Sequence, residues 1–220
     1  MLIEQAYLRF KQKVEKNVTN DSISTSRGNF VLLYIEAQNK FTELNLQQRG
    51  VDDIRYIQHL LILDKKIPYV SKTYDHYNFP LPSDYLDLAD IRGLASNSKC
   101  FNVQIELFEI QTENLNSLLS DEFNKPSFKF RESRYTVNSN TVSVYADDTF
   151  TIDNILLNYY RYPNKIKLID DNNPESTFDE SVKIEWDDKS LDRIISMTAG
   201  EFDMNEMNTR LQVQNLRTQK

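Results

Sequence analysis

Reactive side chains are scarce in this chain. Among 220 residues there is one cysteine, Cys100, so no intrachain disulfide can form. Its neighbours Phe101 and Val103 predict a small buried side chain rather than a reactive thiol. The two histidines stand in unrelated contexts, His59 on a mostly apolar helix and His76 between Asp75 and Tyr77. A serine or thiol nucleophile needs a base within reach, and neither setting offers one. The four glycines, Gly28, Gly50, Gly93 and Gly200, lie far apart. That spacing excludes a phosphate-binding loop and a dinucleotide fingerprint. Paired-cysteine and His-Glu-x-x-His metal motifs are missing. The Asp170-Asp171-Asn172-Asn173 run lacks the central glycine and closing glutamate of a calcium loop. No stretch approaches the roughly 20 apolar residues that cross a bilayer. The opening Met1-Leu2-Ile3-Glu4-Gln5 lacks the form of a secretion signal, so Asn17-Val18-Thr19 is a chance match to a glycosylation acceptor. No catalytic, cofactor-binding or metal-ligating residue is nominated, and no membrane partner is expected. A pair of carboxylates facing one cleft stays open, since the chain has 33 acids.

What remains is a chain that is 40% hydrophobic and 27% charged, as expected of a soluble folded protein. Its charge is unevenly placed. Residues 170–188 hold eight carboxylates against one base, Lys183, which accounts for the whole net charge of −7. Two readings of this acidic lobe stay open: a solvated loop, or a surface that repels nucleic acid and steers a basic partner.

Periodicity predicts helices at both ends. Ile3, Tyr7, Phe10 and Val14 recur at helical spacing, and so do Phe30, Leu33, Ala37, Phe41 and Leu44. Ser26 or a neighbour is placed to cap the second helix, and Gly50 to stop it. A shorter helix starts at Asp52 or Asp53. Asp187 or Asp188 is a suitable cap for the last helix, whose apolar face is Leu191, Ile194, Ile195 and Thr198. Gly200 is expected to interrupt it. Residues 201–220 read as a polar tail that orders on a partner.

The middle predicts strands. Phe101 to Leu107 alternates strictly, and Ser127 to Arg131, Tyr135-Thr136-Val137, Val142 to Tyr145 and Leu156 to Tyr162 follow. Thr112 to Ser120 is a short helix. A brief strand around Val182-Lys183-Ile184 precedes the last helix. The expected class is α+β, with N-terminal helices and a C-terminal helix packed together and a central antiparallel β region inserted. The expected divisions are a helical region 1–65, a mainly antiparallel region 66–186, and a terminal helix with tail over 187–220.

Two clusters invite partners. Lys125, Phe128, Lys129, Phe130, Arg131 and Arg134 interleave bases with aromatics, a pattern in which rings stack on nucleobases and cations meet phosphates. An ordinary strand with the phenylalanines inward is the preferred reading, and a pI near 5.0 also argues against a dedicated nucleic-acid binder. Tyr159, Tyr160 and Tyr162 form the densest aromatic cluster, which suits either an interface or a core strand.

Four segments resemble one known family. These are Phe79-Pro80-Leu81-Pro82-Ser83-Asp84-Tyr85-Leu86, Tyr159-Tyr160-Arg161-Tyr162-Pro163, Trp186-Asp187-Asp188 leading into Leu191-Asp192-Arg193-Ile194-Ile195, and the polar Leu211-Gln212-Val213-Gln214-Asn215-Leu216. With the paired N-terminal helices they span most of the chain in order. They resemble the head–tail connector (adaptor or ring) proteins of short-tailed crAss-like bacteriophages, and more distantly the tail tubular protein A type. The resemblance implies a virion structural protein at the portal–tail region, assembled in the host cytoplasm, with no enzymatic activity and no cofactor. It implies a twelve-fold ring that joins the portal to other ring or tail subunits and lines part of the DNA channel. On this reading Tyr159, Tyr160, Tyr162, Trp186, Met204, Met207 and Leu211 are interface candidates. Asp170, Asp171 and Asp179 are channel-lining candidates. Another tail or capsid accessory protein and a nucleic-acid-binding module are the alternatives.

Overall fold

The computed structural model describes residues 2–17, 25–48, 50–121, 124–170 and 172–218, without the side chains of 16, 17, 51–53, 116, 119 and 206–218. The chain forms two compact units, Met1–His59 with Pro163–Lys220, and Leu60–Tyr162. The class is α+β.

The first unit is helical. Helix α1 (Ile3–Asn17) buries its predicted stripe of Ile3, Tyr7, Phe10 and Val14. Helix α2 (Arg27–Gln48) is capped by Ser26, whose hydroxyl accepts the Asn29 N–H at 3.1 Å. Its buried face is rotated from the predicted one. Tyr34 takes the place of Leu33, and Asn45 takes that of the exposed Leu44. The polar residues tolerate burial because they bond within the helix. Thr42 donates to the Gln38 carbonyl at 2.8 Å, and Asn45 to the Phe41 carbonyl at 2.6 Å. Helix α3 (Val51–Ile57) follows, with Gly50 at its N-cap. Helix α5 (Asp188–Thr218) packs on α1 and α2 through Leu191, Ile194, Ile195 and Thr198, all fully buried. Tyr7, Phe10, Phe30, Phe178 and Phe202 meet around this junction, with ring centroids 5.2–6.5 Å apart.

The second unit is one eight-stranded sheet in the order β1-β8-β4-β5-β6-β7-β3-β2. Its strands are β1 (Leu61–Pro68), β2 (Ser71–Lys72), β3 (His76–Pro80), β4 (Tyr85–Ser96), β5 (Val103–Glu109), β6 (Glu132–Asn138), β7 (Thr141–Tyr145) and β8 (Thr151–Arg161). Helix α4 (Leu115–Ser120) lies between β5 and β6. The sheet curls until β1 approaches β3. Alternate side chains then point into one core, including Ile67, Phe79, Ile91, Ile105, Val144, Ile155 and Leu157. Gly93 on β4 faces Ile105 so closely that a Cβ there would sit 2.8 Å from Ile105 Cγ1.

Several expectations change. The sheet is mixed, not purely antiparallel, because β5 and β6 run parallel, joined by the crossover that holds α4. Strand β1 begins at Leu61, inside the stretch read as helix, since Leu61 and Ile62 find partners in Tyr160 and Tyr159. The sheet unit ends at Tyr162. Residues 163–186 belong with the helices, where Ile166, Leu168, Phe178 and Trp186 are buried. No strand forms at Val182–Ile184. Ser127 to Arg131 is a turn and not a strand. Helix α5 runs through Gly200 without a break, because a single glycine costs only about 1 kcal/mol in a long helix.

Candidate functional site

The interface candidates divide sharply by burial. Tyr159 and Tyr160 on β8 are both buried, on opposite faces of the strand. The Tyr159 hydroxyl donates to Asp84 Oδ1 at 3.0 Å, and its ring lies 5.9 Å from that of Tyr85. Burial, and then the adjacent Asp84 carboxylate, push the phenol up to about 12. Asp84 is used twice, since its carbonyl accepts the Tyr162 N–H at 2.8 Å. Of the three tyrosines only Tyr162 is at the surface, 40% exposed.

Trp186 is buried as well. It packs edge-on against Phe41 at 5.5 Å and His59 at 4.9 Å. Its indole N–H donates to Gln38 Oε1 at 3.3 Å, while Gln38 Nε2 donates to the Asn164 carbonyl. Gln38 is therefore a buried polar hub, and only its helical position beside Phe41 hinted at burial. One residue on, Asp187 caps α5. Its carboxylate accepts the Ser190 N–H at 2.6 Å, and that bond holds its pKa below the usual carboxylate value. Met204 is 66% exposed on α5. Met207 and Leu211 lie on the same helix, but their side chains are outside the described residues.

The acidic lobe is a built structure. Leu168 and Phe178 pair as an isolated bridge, and Phe178 inserts beside Tyr7 and Phe30. Gly28 donates its N–H to the Pro174 carbonyl at 2.9 Å, and Arg27 stacks over Phe178 while pairing with Glu4. The sequence reading missed this anchoring, for which the only signal is the apolar Ile166, Leu168 and Phe178 in and beside the acidic run. Several carboxylates have local work. Asp179 pairs with Lys167 at 3.2 Å, and the Ser181 hydroxyl and N–H, then Lys167, lower its pKa to about 2. Glu185 accepts the Asn164 N–H at 2.7 Å, and Asp170 accepts the Asn172 N–H at 3.0 Å. Asp170, Glu175, Glu180 and Asp188 remain exposed to solvent. Asp171 is outside the described residues. The result is an anionic surface held in place by local bonds, in which Asp179 is paired with Lys167 while Asp170, Glu175, Glu180 and Asp188 face solvent.

Among the described residues no cluster of histidine, cysteine or carboxylate groups is arranged to hold a metal ion. No described helix is long and apolar enough to cross a membrane. Cys100 is exposed, not buried, because it lies in the tight loop where Asn97 accepts the Lys99 and Cys100 N–H groups. His76 pairs with Asp75 at 2.7 Å. A shallow cavity of about 740 Å³ at one end of the sheet is lined by Lys72, Asn97, Phe101, Asp147, Asp148 and Asp153. Some of its polar groups already bond to each other, Ser96 to Asp153 and Thr149 to Asp147.

No protein-family model matches this chain, and no curated protein does either.

Proposed function

We propose that this chain is a structural subunit of a phage head–tail connector ring, joining the portal to the tail around the DNA channel. One observation carries the reading. Three of the segments that resemble the connector family serve as scaffold, each within its own unit. Segment 79–86 is bonded to segment 159–163 through both bonds of Asp84. The Trp186-Asp187 pair anchors and caps α5. Residues bonded in this way are ones that a shared fold would need, and that supports the reading.

A closed ring needs two different complementary patches on each subunit. Exposed apolar side chains are present on both units: Leu32, Ile169 and Met204 on the helical unit, and Leu63, Val70 and Tyr74 on the sheet unit. Buried Tyr159, Tyr160 and Trp186 hold the monomer together instead. Tyr162 and Met204 stay as interface candidates. Another tail or capsid accessory protein would share these features but not the symmetry.

Native mass spectrometry of the purified chain, alone and with portal, tests this. The expected species has about twelve times the 25.9 kDa chain mass. A monomer that stays monomeric on portal overturns the reading.

A further inference from the structure

The basic–aromatic segment that the connector reading leaves unused is arranged as a contact surface. Ser127 and Glu132 pair as an antiparallel bridge, with N–H to carbonyl distances of 2.9 and 3.1 Å. The four residues between them, Phe128 to Arg131, form a closed turn. Arg131 donates its N–H to the Phe128 carbonyl at 3.3 Å and adopts a φ of 57°, and its own carbonyl accepts the Glu106 N–H at 2.8 Å. A left-handed backbone at an arginine is uncommon and must be held by its surroundings. Here those bonds hold it.

The two phenylalanines point in opposite ways. Phe128 packs against the sheet core, 5.7 Å from the buried Phe150 ring. Phe130 faces solvent, 72% exposed, with Lys129 Nζ 5.6 Å from its centroid. The half-buried Phe128 thus anchors the turn, and the turn displays Phe130. Lys125, Lys129 and Arg131 are exposed, and none joins a salt bridge among the described residues. Arg134 is occupied, since it stacks on Phe108 at 4.9 Å and donates to the Asn124 carbonyl at 3.1 Å. Residues 125–134 carry four bases and one acid, Glu132, in a chain that is acidic overall.

From this geometry we propose that the 127–132 turn binds single-stranded nucleic acid, with Phe130 as a stacking platform and Lys125, Lys129 and Arg131 on the flanking phosphates. An open ring between cations matches an unpaired base between its phosphates. Duplex bases are already stacked and cannot lie on a ring at a turn tip without unstacking. The inference does not depend on ring assembly, so it fails or holds separately from the connector reading.

Fluorescence anisotropy of a labelled oligothymidylate about a dozen nucleotides long tests it on the full chain, at about 50 mM and about 200 mM salt. Phe130→Ala should weaken binding on the order of 10-fold, and Phe130→Trp should keep it. The double variant Lys129→Gln, Arg131→Gln should reduce the log–log salt slope by about 1.4. Unchanged circular dichroism and melting of each variant will show that the fold is intact, which an exposed ring permits. No binding to the oligonucleotide at the lower salt overturns the proposal. So does equal affinity of wild type and Phe130→Ala, or binding confined to duplex DNA.

Discussion

Trp186→Phe separates a core role from an interface role at one position. Phenylalanine keeps the edge-on packing with Phe41 and His59 but removes the indole N–H that reaches Gln38 at 3.3 Å. Gln38 Oε1 is then left buried without its donor, which costs about 1–3 kcal/mol. The space left by the smaller ring adds roughly 1 kcal/mol. The expected loss is therefore about 2–4 kcal/mol in the isolated chain. At this chain length that lowers the melting temperature on the order of 10 °C. Differential scanning calorimetry of the unassembled protein measures it, with far-ultraviolet circular dichroism to follow the helical unit. A double-mutant cycle with Gln38→Met isolates the bond. The combined variant should lose about 1 kcal/mol less than the sum of the single changes. Because Trp186 is the only tryptophan, its fluorescence in the parent protein should shift red when the helical unit opens. An unchanged melting temperature together with a loss of assembly would refute the core assignment and return Trp186 to an interface.

Gly93→Ala should destabilise the sheet unit by about 1–3 kcal/mol, and Gly93→Val by more, because the new Cβ meets the stiff, buried Ile105; urea midpoints that rise with strand propensity instead would refute this. Asp187→Ala should cost about 1 kcal/mol at pH 7 through loss of the α5 cap. The Asp187 carboxyl titrates lower in the folded chain than in the unfolded one. Its contribution is thus complete above the unfolded value of about 3.9 and fades as pH falls through the folded value. The gap between wild type and variant in urea titrations should therefore shrink below about pH 4, and a gap that widens there contradicts the capping role. If the acidic lobe lines a DNA channel, Asp170→Lys should reduce DNA packaging without changing ring mass; normal packaging would remove the lobe from the channel.

Where local chemistry decides, the sequence was readable. The caps at Ser26 and Asp187 and the stripes of α1 and α5 appear as their spacing predicts. So does the alternation that buries Ile105 and Leu107 on β5. The α2 face was misplaced because Gln38, Thr42 and Asn45 look like surface residues, and only their bonds to other carbonyls and to Trp186 make burial tolerable. The parallel pairing of β5 and β6 depends on a crossover rather than on residue pattern. The 127–131 turn was misread because bases and aromatics alternate there as a strand would. Its course is set by the Ser127–Glu132 bridge and the left-handed Arg131, neither of which leaves a periodic signal. For the candidate site, the tyrosine cluster was visible, but its partner Asp84 lies 75 residues away and became evident only in three dimensions.

The pairing of Leu61 with Tyr160 bears on the order of events during synthesis. Helices α1 and α2 leave the ribosome long before α5, and contacts such as Lys13 with Asp192 bridge 179 positions of sequence. Joining such distant segments through a floppy connection carries a loop-closure penalty and delays folding. The sheet unit removes much of that penalty. Once folded, its first and last strands lie side by side, so the chain leaves the sheet close to where it entered it, and the intervening residues act as a short staple. Maturation should then be sequential, with the sheet closing first and the late-arriving α5 completing the waiting helices. Weakening the β1–β8 pair would slow a helical assembly that contains neither strand.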